Sequence, residues 1–146
     1  MKALKYSDIC LVPEFGVCSS RSECSTDITL GDHTFKLPVV PANMKSVIDS
    51  SHAHWLSQND YFYVMHRFDI DIVKFVDTAN RESWKSISIS LGVKPSDLEL
   101  VNKFKSWGSR IDFITVDIAH GYSNLMQEML SHIREKLGDK VFVIAG

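Results

Sequence analysis

Residues 111–123 read IDFITVDIAHGYS, an apolar run that leads directly into a polar turn. The run is rich in β-branched and aromatic residues and too short for a buried helix, so it predicts a buried strand. Asp117 stands at its end, and residues 124–137 after the turn predict a helix. Loops at the carboxyl ends of parallel strands are where α/β proteins bind ligands. Helix capping is the competing interpretation, and it suits Ser123 better than Asp117, which lies several residues before the helix.

The same alternation of strand and helix recurs from residue 37 onward. Predicted strands occupy residues 37–44, 61–66, 87–91, 111–116 and 141–145. Predicted helices occupy residues 50–59, 70–83, 95–107 and 124–137. This spacing indicates βα units on a parallel sheet.

The first 36 residues follow a different pattern. Residues 28–35 alternate around Gly31 and Asp32, which predicts a two-stranded hairpin within an otherwise irregular segment. We expect one domain over residues 1–146, with this amino-terminal segment followed by βα units over residues 37–146.

Two architectures fit these units, a doubly wound open sheet and a (β/α)8 barrel. An open sheet would place a helix after its last strand, whereas no helix follows residues 141–145. A complete barrel takes roughly 250 residues. We therefore expect the first five strands and four helices of a (β/α)8 TIM barrel, in an incomplete chain whose last strand would otherwise leave an apolar edge unpaired.

Composition excludes several classes of function. The 146 residues are 45% apolar and 23% charged, with a net charge of −2, so the sequence predicts no basic surface for nucleic acid. We also expect no membrane span and no secretory signal. Cys10, Cys18 and Cys24 form no disulfide framework, which favours a reducing cytoplasm, and the spacing of the last two matches no common zinc pattern.

The carboxyl ends of the predicted strands collect polar and flexible side chains. They carry Asn43, Met44, His66, Arg67, Phe68, Gly92, Asp117 and Gly146. The opposite ends carry ordinary turn residues, so the asymmetry indicates a ligand site at the carboxyl rim. Our hypothesis is that Arg67 and Asp117, on neighbouring strands, face one another there, because a guanidinium keeps a nearby carboxylate ionised and oriented.

Each of these residues also has a purely structural interpretation. Met44 and His66 could belong to the core, and Arg67 could pair with Asp69 at the surface. Gly92 and Gly121 could serve only backbone conformation.

Two further classes stay open at this stage. One is a non-catalytic five-stranded α/β binding domain. The other is a metal-dependent barrel hydrolase using His66 and His120, whose neighbours supply no plausible ligand set, so we expect no metal site.

Five segments resemble the IMP dehydrogenase / GMP reductase family. They are residues 6–13 with 20–23 (YSDICLVP, SRSE), 37–44 (LPVVPANM), 117–123 (DIAHGYS) and 143–146 (VIAG). The match extends over the whole chain, and no inserted regulatory domain separates the second and third predicted strands. Residues 62–68 (FYVMHRF) are closer to the reductase branch of the family.

The resemblance implies reductive deamination of GMP to IMP and ammonia with NADPH, by a cytoplasmic homotetramer. Its cofactor contacts would fall on Ser20, Arg21, Phe68, Asp117, Ile118 and Ala119. Its substrate contacts would fall on Met44, which packs on the purine, and on Asn43. Asp117 and Arg67 would be the catalytic residues, with Arg67 in place of the lysine of many reductases, and the two are not interchangeable.

The resemblance also implies that much of the chemistry lies outside this chain. The family's catalytic cysteine and its monovalent-cation (K⁺) loop follow the fifth strand, and none of the three cysteines here matches the nucleophile's context. Residues 1–146 alone are therefore expected to be inactive. An IMP dehydrogenase without the regulatory insert is the alternative within the family.

Overall fold

The computed structural model describes residues 4–146 and contains a parallel sheet of three strands. They are β3 Ser88–Leu91, β4 Phe113–Val116 and β5 Phe142–Ala145, in the order β3-β4-β5. Pairing is in parallel, with Ser88 opposite Phe113 and Phe113 opposite Phe142. All three strands therefore end at the same level.

Four helices pack on one face of the sheet, two of them before β3 and one in each connection between the strands. They are α1 Ser50–Gln58, α2 Ile72–Arg81, α3 Pro95–Trp107 and α4 Asn124–Leu137. The bounds of α3 and α4 are the predicted ones, because Pro95 occupies the first turn and Gly108 ends α3 in a left-handed conformation. Asp49 caps α1, because its carboxylate accepts hydrogen bonds from the N–H groups of Ser51 and His52, both at 2.9 Å.

An antiparallel hairpin closes the amino ends of the parallel strands. Its strands are β1 Ile28–Leu30 and β2 His33–Phe35, as the alternation predicted, with Gly31 at φ 57° in the turn. His33 Nε2 lies 3.6 Å from Asp112 Oδ1, while Asp112 Oδ2 accepts the Ile87 N–H at 2.7 Å. Asp112 thus holds the hairpin and the start of β3 together.

The two faces of the sheet have separate apolar cores. The outer face packs on the helices through side chains such as Met65, Ile89, Leu91, Ile114 and Val116. The inner face packs on the hairpin through Phe35, Phe62, Val64 and Phe113, with Ile28, Leu30 and Ile144 at the edge. Alternate residues of one strand therefore serve different cores, as the period of two requires.

Residues 61–66 were predicted as a full strand, and the structure confirms their position but not their length. Met65 forms one parallel bridge with Ile89, through hydrogen bonds of 3.2 Å and 3.0 Å. Residues 62–66 are nonetheless buried. The segment lies beside β3, at the edge away from β4, but only Met65 makes ladder bonds.

The prediction of a strand at residues 37–44 is wrong for the described structure. The segment is irregular, and Val39 and Val40 are exposed. Pro38 and Pro41 remove two of the N–H donors that a ladder would use. The prediction followed the apolar composition and gave these prolines too little weight.

Within residues 4–146, no helix is both long and apolar enough to cross a bilayer.

Phe113 is the central side chain of the inner core. It is fully buried, and its ring centroid lies 5.0 Å from that of Phe62 and 5.7 Å from that of Phe35. Phe113→Ala should lower the free energy of unfolding by about 3–5 kcal/mol, because it leaves a cavity between hairpin and sheet. Urea unfolding measures this, with Phe142→Ala on the neighbouring strand as the control. Phe142 is 37% exposed, so equal losses for the two variants would contradict the assignment.

The Asp49 cap should make α1 sensitive to acid. Hydrogen bonds from the backbone of His52 and from Ser51 lower the pKa of Asp49 below its ordinary value of 3.8. A depressed folded-state pKa stabilises the protein above the unfolded-state pKa, and this contribution is lost as the pH falls toward the folded-state pKa. Asp49→Ala should therefore cost about 1 kcal/mol at neutral pH. The difference between wild type and variant should shrink below about pH 4.

The measurement is urea unfolding of both proteins across the acid range. Asp27→Ala is the matched control, since this exposed carboxyl accepts no hydrogen bond from the described part of the chain. A wild-type advantage that stays constant through the acid range would contradict the assignment.

Candidate functional site

The register of the sheet places the residues that follow β3, β4 and β5 side by side. Asp117 donates its backbone N–H to the Leu91 carbonyl at 2.8 Å, and Gly146 donates to the Val116 carbonyl at 3.0 Å. Gly92, Asp117 and Gly146 therefore stand in a row at the carboxyl rim. The backbone of this row is positioned by ladder bonds rather than by a loose loop.

Arg67 and Asp117 form an ion pair on this rim. Arg67 Nε donates to Asp117 Oδ2 at 2.9 Å, and the side chains are 28% and 31% exposed. The alternative pairing of Arg67 with Asp69 is wrong, because Asp69 pairs with Lys45 instead. A charge-assisted hydrogen bond at this exposure orients the carboxylate more than it stabilises the fold.

The sequence predicted the two partners on neighbouring strands. This prediction is wrong, because β3 lies between the segment that carries Arg67 and the strand that carries Asp117. Arg67 must cross two strand spacings of about 4.8 Å each. It does so against Gly92, where a Cβ atom would lie 3.4 Å from the Arg67 guanidinium and 2.8 Å from Asp97 Oδ2. Gly92 does not have a positive φ, so its role is space and not backbone conformation.

The Phe68 ring also contacts the Arg67 guanidinium. Arg67 Cζ lies 4.5 Å from the centroid of the Phe68 ring, a cation–π contact. The Phe68 N–H donates to His66 Nδ1 at 3.2 Å, and His66 is 5% exposed. His66 is therefore a satisfied core histidine, and it fixes the backbone on which Phe68 stands. The Phe68 ring is 47% exposed and leaves an apolar face beside the ion pair.

Met44 and Asn43 reach the same side of the molecule through a second ion pair. Lys45 Nζ lies 2.8 Å from Asp69 Oδ2, which ties the segment after residue 44 to the turn after Phe68. This bond from Lys45 lowers the pKa of Asp69. Met44 is 54% exposed, so it is not core filler, and Asn43 is half-buried.

The turn after Asp117 packs against the end of β5. A Cβ atom at Gly121 would lie 2.6 Å from the Gly146 carbonyl oxygen, so this glycine also serves close approach. Ile118 packs against the outer core, whereas Ala119 is exposed. Ser123 caps α4 by accepting the Met126 N–H at 3.4 Å, so the capping interpretation is right for Ser123. Asp117 makes no cap bond in the described structure.

Ser20 and Arg21 are not brought to this rim. They lie in an exposed amino-terminal segment, where Ser20 begins a short 3-10 helix, Arg21–Glu23. In the part of the chain that the structure describes, no hydrogen bond or ion pair joins either residue to Arg67 or Asp117.

The site so described offers an oriented acceptor beside a fixed cation and an exposed aromatic face. The carboxylate can accept hydroxyl hydrogen bonds, and the ring can stack on a planar ligand. Arginine stays protonated, so the pair supplies no ready proton donor. Among residues 4–146, no group of three or more His, Cys, Asp or Glu side chains could hold a metal ion. The cleft of about 510 Å³ between α3 and the start of β5 lies at the opposite end of the strands.

Sequence reasoning missed two residues that shape the rim, Lys45 and Asp97, and it placed Gly92 there without its steric role. The steric role of Gly92 follows from strand order, since a side chain that spans from the second to the fourth strand has to pass the end of the third. The Lys45–Asp69 pair had no comparable signal, because it joins two turns that are 24 residues apart.

Comparison with known proteins identifies the family. The model of the IMP dehydrogenase / GMP reductase domain matches residues 3–146. Similar proteins include the GMP reductases of Mesoplasma florum, 50% identical, and of Mycoplasma mycoides subsp. mycoides SC, 49% identical, each over the whole chain. The chain spans 45% of the length of each of these relatives.

A solved structure agrees with the sequence comparisons. The crystal structure of inosine 5′-monophosphate dehydrogenase from Legionella pneumophila superimposes with a TM-score of 0.78 at 27% identity, over 99% of this chain and 44% of that one. The parallel α/β arrangement is thus shared with a solved relative. The chain belongs to the IMP dehydrogenase / GMP reductase family.

Proposed function

We propose that this chain is the amino-terminal part of a GMP reductase, which converts GMP to IMP and ammonia with NADPH on a (β/α)8 barrel. The relatives named GMP reductase, 46–50% identical over the whole chain, support the choice of reaction. The observation that carries the site is the Arg67–Asp117 ion pair at the rim. Reductive deamination needs a hydride donor and a protonated leaving amine. The nicotinamide that donates the hydride must therefore lie beside polar groups such as those of this rim.

Asp117 is proposed to bind the nicotinamide ribose and to orient the leaving amine. The guanidinium of Arg67, at 2.9 Å, orients the carboxylate, which can accept two hydroxyl hydrogen bonds. Because Arg67 cannot give up its proton, the proton for ammonia reaches the site from another group or from water. Arg67 therefore positions Asp117 and stabilises its charge.

The residues around the pair fit a dinucleotide. Phe68 presents a half-exposed ring for the nicotinamide, and the turn at Ile118 and Ala119 follows Asp117 directly. When NADPH is bound, it supplies the hydride. Ser20 and Arg21 are proposed to contact the remote part of the cofactor, which requires the exposed amino-terminal segment to approach the rim.

Met44 is proposed to pack on the purine of GMP, with Asn43 beside it. The thioether is 54% exposed and stands on a turn anchored by the buried Ile48, whose N–H donates to the Met44 carbonyl at 3.1 Å. The covalent nucleophile and a K⁺ site are proposed to lie in the part of the protein outside this chain. Residues 1–146 alone should then be inactive, and the whole protein is proposed to be a cytoplasmic homotetramer.

IMP dehydrogenase is the second candidate, and the Legionella neighbour favours it. The two activities differ in the direction of electron flow and in the fate of the purine. A non-catalytic binding domain remains the alternative of another class.

Activity assays of the full-length protein with two substrate pairs, GMP with NADPH and IMP with NAD, distinguish these three functions. We expect NADPH oxidation that depends on GMP and releases ammonia, followed by the loss of NADPH absorbance. We expect no reduction of NAD that depends on IMP. IMP-dependent NADH formation alone would establish the dehydrogenase, and inactivity with both pairs would favour the binding domain.

Substitutions at the rim test the proposed roles. Asp117→Asn removes the carboxylate acceptor and should lower kcat/KM for NADPH by about 10- to 100-fold, the worth of a hydrogen bond to a charged group. Arg67→Lys keeps the cation and should lose less activity than Arg67→Met. The control is Arg81→Met, an exposed arginine on α2 that pairs with Asp77 at 3.7 Å. Equal losses at positions 67 and 81 would contradict a role for the pair.

A further inference from the structure

Cys18 and Cys24 place their sulfur atoms in contact at the surface. The Sγ atoms are 3.7 Å apart, and both residues are exposed and free. Residues 4–27 contain no buried side chain, so the pair is not part of a packed core. Cys10 is also exposed and free, but no sulfur contact joins it to the other two in the described segment.

A short turn creates this contact. The 3-10 helix Arg21–Glu23 lies between the two cysteines, and Cys24 donates its N–H to the Arg21 carbonyl at 3.2 Å. Glu23 Oε2 accepts the Ser19 N–H at 3.1 Å, and Glu23 donates its own N–H to the Ser20 carbonyl at 3.0 Å. These bonds fold the seven residues back on themselves, so the approach of the sulfurs is built into the turn.

We propose that Cys18 and Cys24 are a redox modification site, which forms a reversible intramolecular disulfide by exchange with a low-molecular-weight disulfide such as glutathione disulfide. In a reducing cytoplasm the pair rests as two thiols. Oxidation requires the sulfurs to move from 3.7 Å to about 2.05 Å apart. Exposed side chains on a surface turn make this move without disturbing a core.

The exchange proceeds in two balanced steps. The thiolate of one cysteine attacks the small disulfide, forms a mixed disulfide and releases one small thiolate, which takes up a proton. The thiolate of the second cysteine then attacks the protein sulfur of the mixed disulfide and displaces the second small thiol. Two protein thiols are oxidised to one disulfide, and one small disulfide is reduced to two thiols.

The disulfide also has a consequence for cofactor binding, and this part rests on the proposed function. Ser20 and Arg21 lie inside the ring that the bond would close, and Cys24 is hydrogen-bonded to the Arg21 carbonyl. Closing the ring therefore displaces the two residues proposed to contact NADPH. Oxidation should raise KM for NADPH several-fold, and reduction should restore it.

Peptide mapping of the full-length protein tests the modification itself. After treatment with glutathione disulfide and blocking of free thiols, trypsin with Glu-C yields residues 6–14, 15–21 and 24–36, which separate the three cysteines. We expect a linked pair of peptides 15–21 and 24–36 that is lost on reduction. The pair should persist in Cys10→Ser and be absent in Cys18→Ser.

Absence of that linked pair, or links from Cys10 in its place, would overturn the modification site. KM for NADPH before and after oxidation tests the consequence, with Cys24→Ser oxidised in parallel to correct for cysteines elsewhere. An equal rise in both proteins would overturn the effect on the cofactor. Peptide mapping does not depend on activity, so failure of the proposed function is distinguishable from failure of the disulfide.

Discussion

The parallel register of β3, β4 and β5 is the constraint on which the rest of the structure depends. With Leu91, Val116 and Ala145 side by side, the residues that follow them must share one level. A shift of one residue in any strand would exchange its inner and outer faces, exposing core side chains and burying rim groups. Register therefore fixes the core and the site together, and the two cannot vary independently.

The two faces of the sheet pack against different parts of the fold. Helices cover the outer face, and the hairpin β1–β2 covers the lower part of the inner face through Phe35 and Phe113. Apolar packing thus ends below the level of Asp117. At that level the side chains of Arg67 and Asp117 are 28% and 31% exposed, and this change along the strands, more than any single motif, separates scaffold from site.

The sequence predicted helices better than strands, for physical reasons. α3 and α4 were correct to the residue because their ends carry local signals, such as Pro95 and Ser123. The ends of strands depend on partners distant in sequence, so residues 37–44 looked like a strand on composition alone. The Arg67–Asp117 contact followed from topology, because both residues come at the carboxyl ends of strands. The passage of Arg67 along Gly92 depends on which strand lies between Arg67 and Asp117, and no local sequence pattern encodes that packing detail.

The ion pair also carries information about the order of folding. Arg67 and Asp117 are 50 residues apart, and the loop that their bond closes contains α2, β3 and α3. Closing so long a loop costs more entropy than one half-buried ion pair offsets, so pairing of β3 with β4 has to come first. The bond is then a late event, and its appearance reports that the strands on both sides of Gly92 have reached their native alignment.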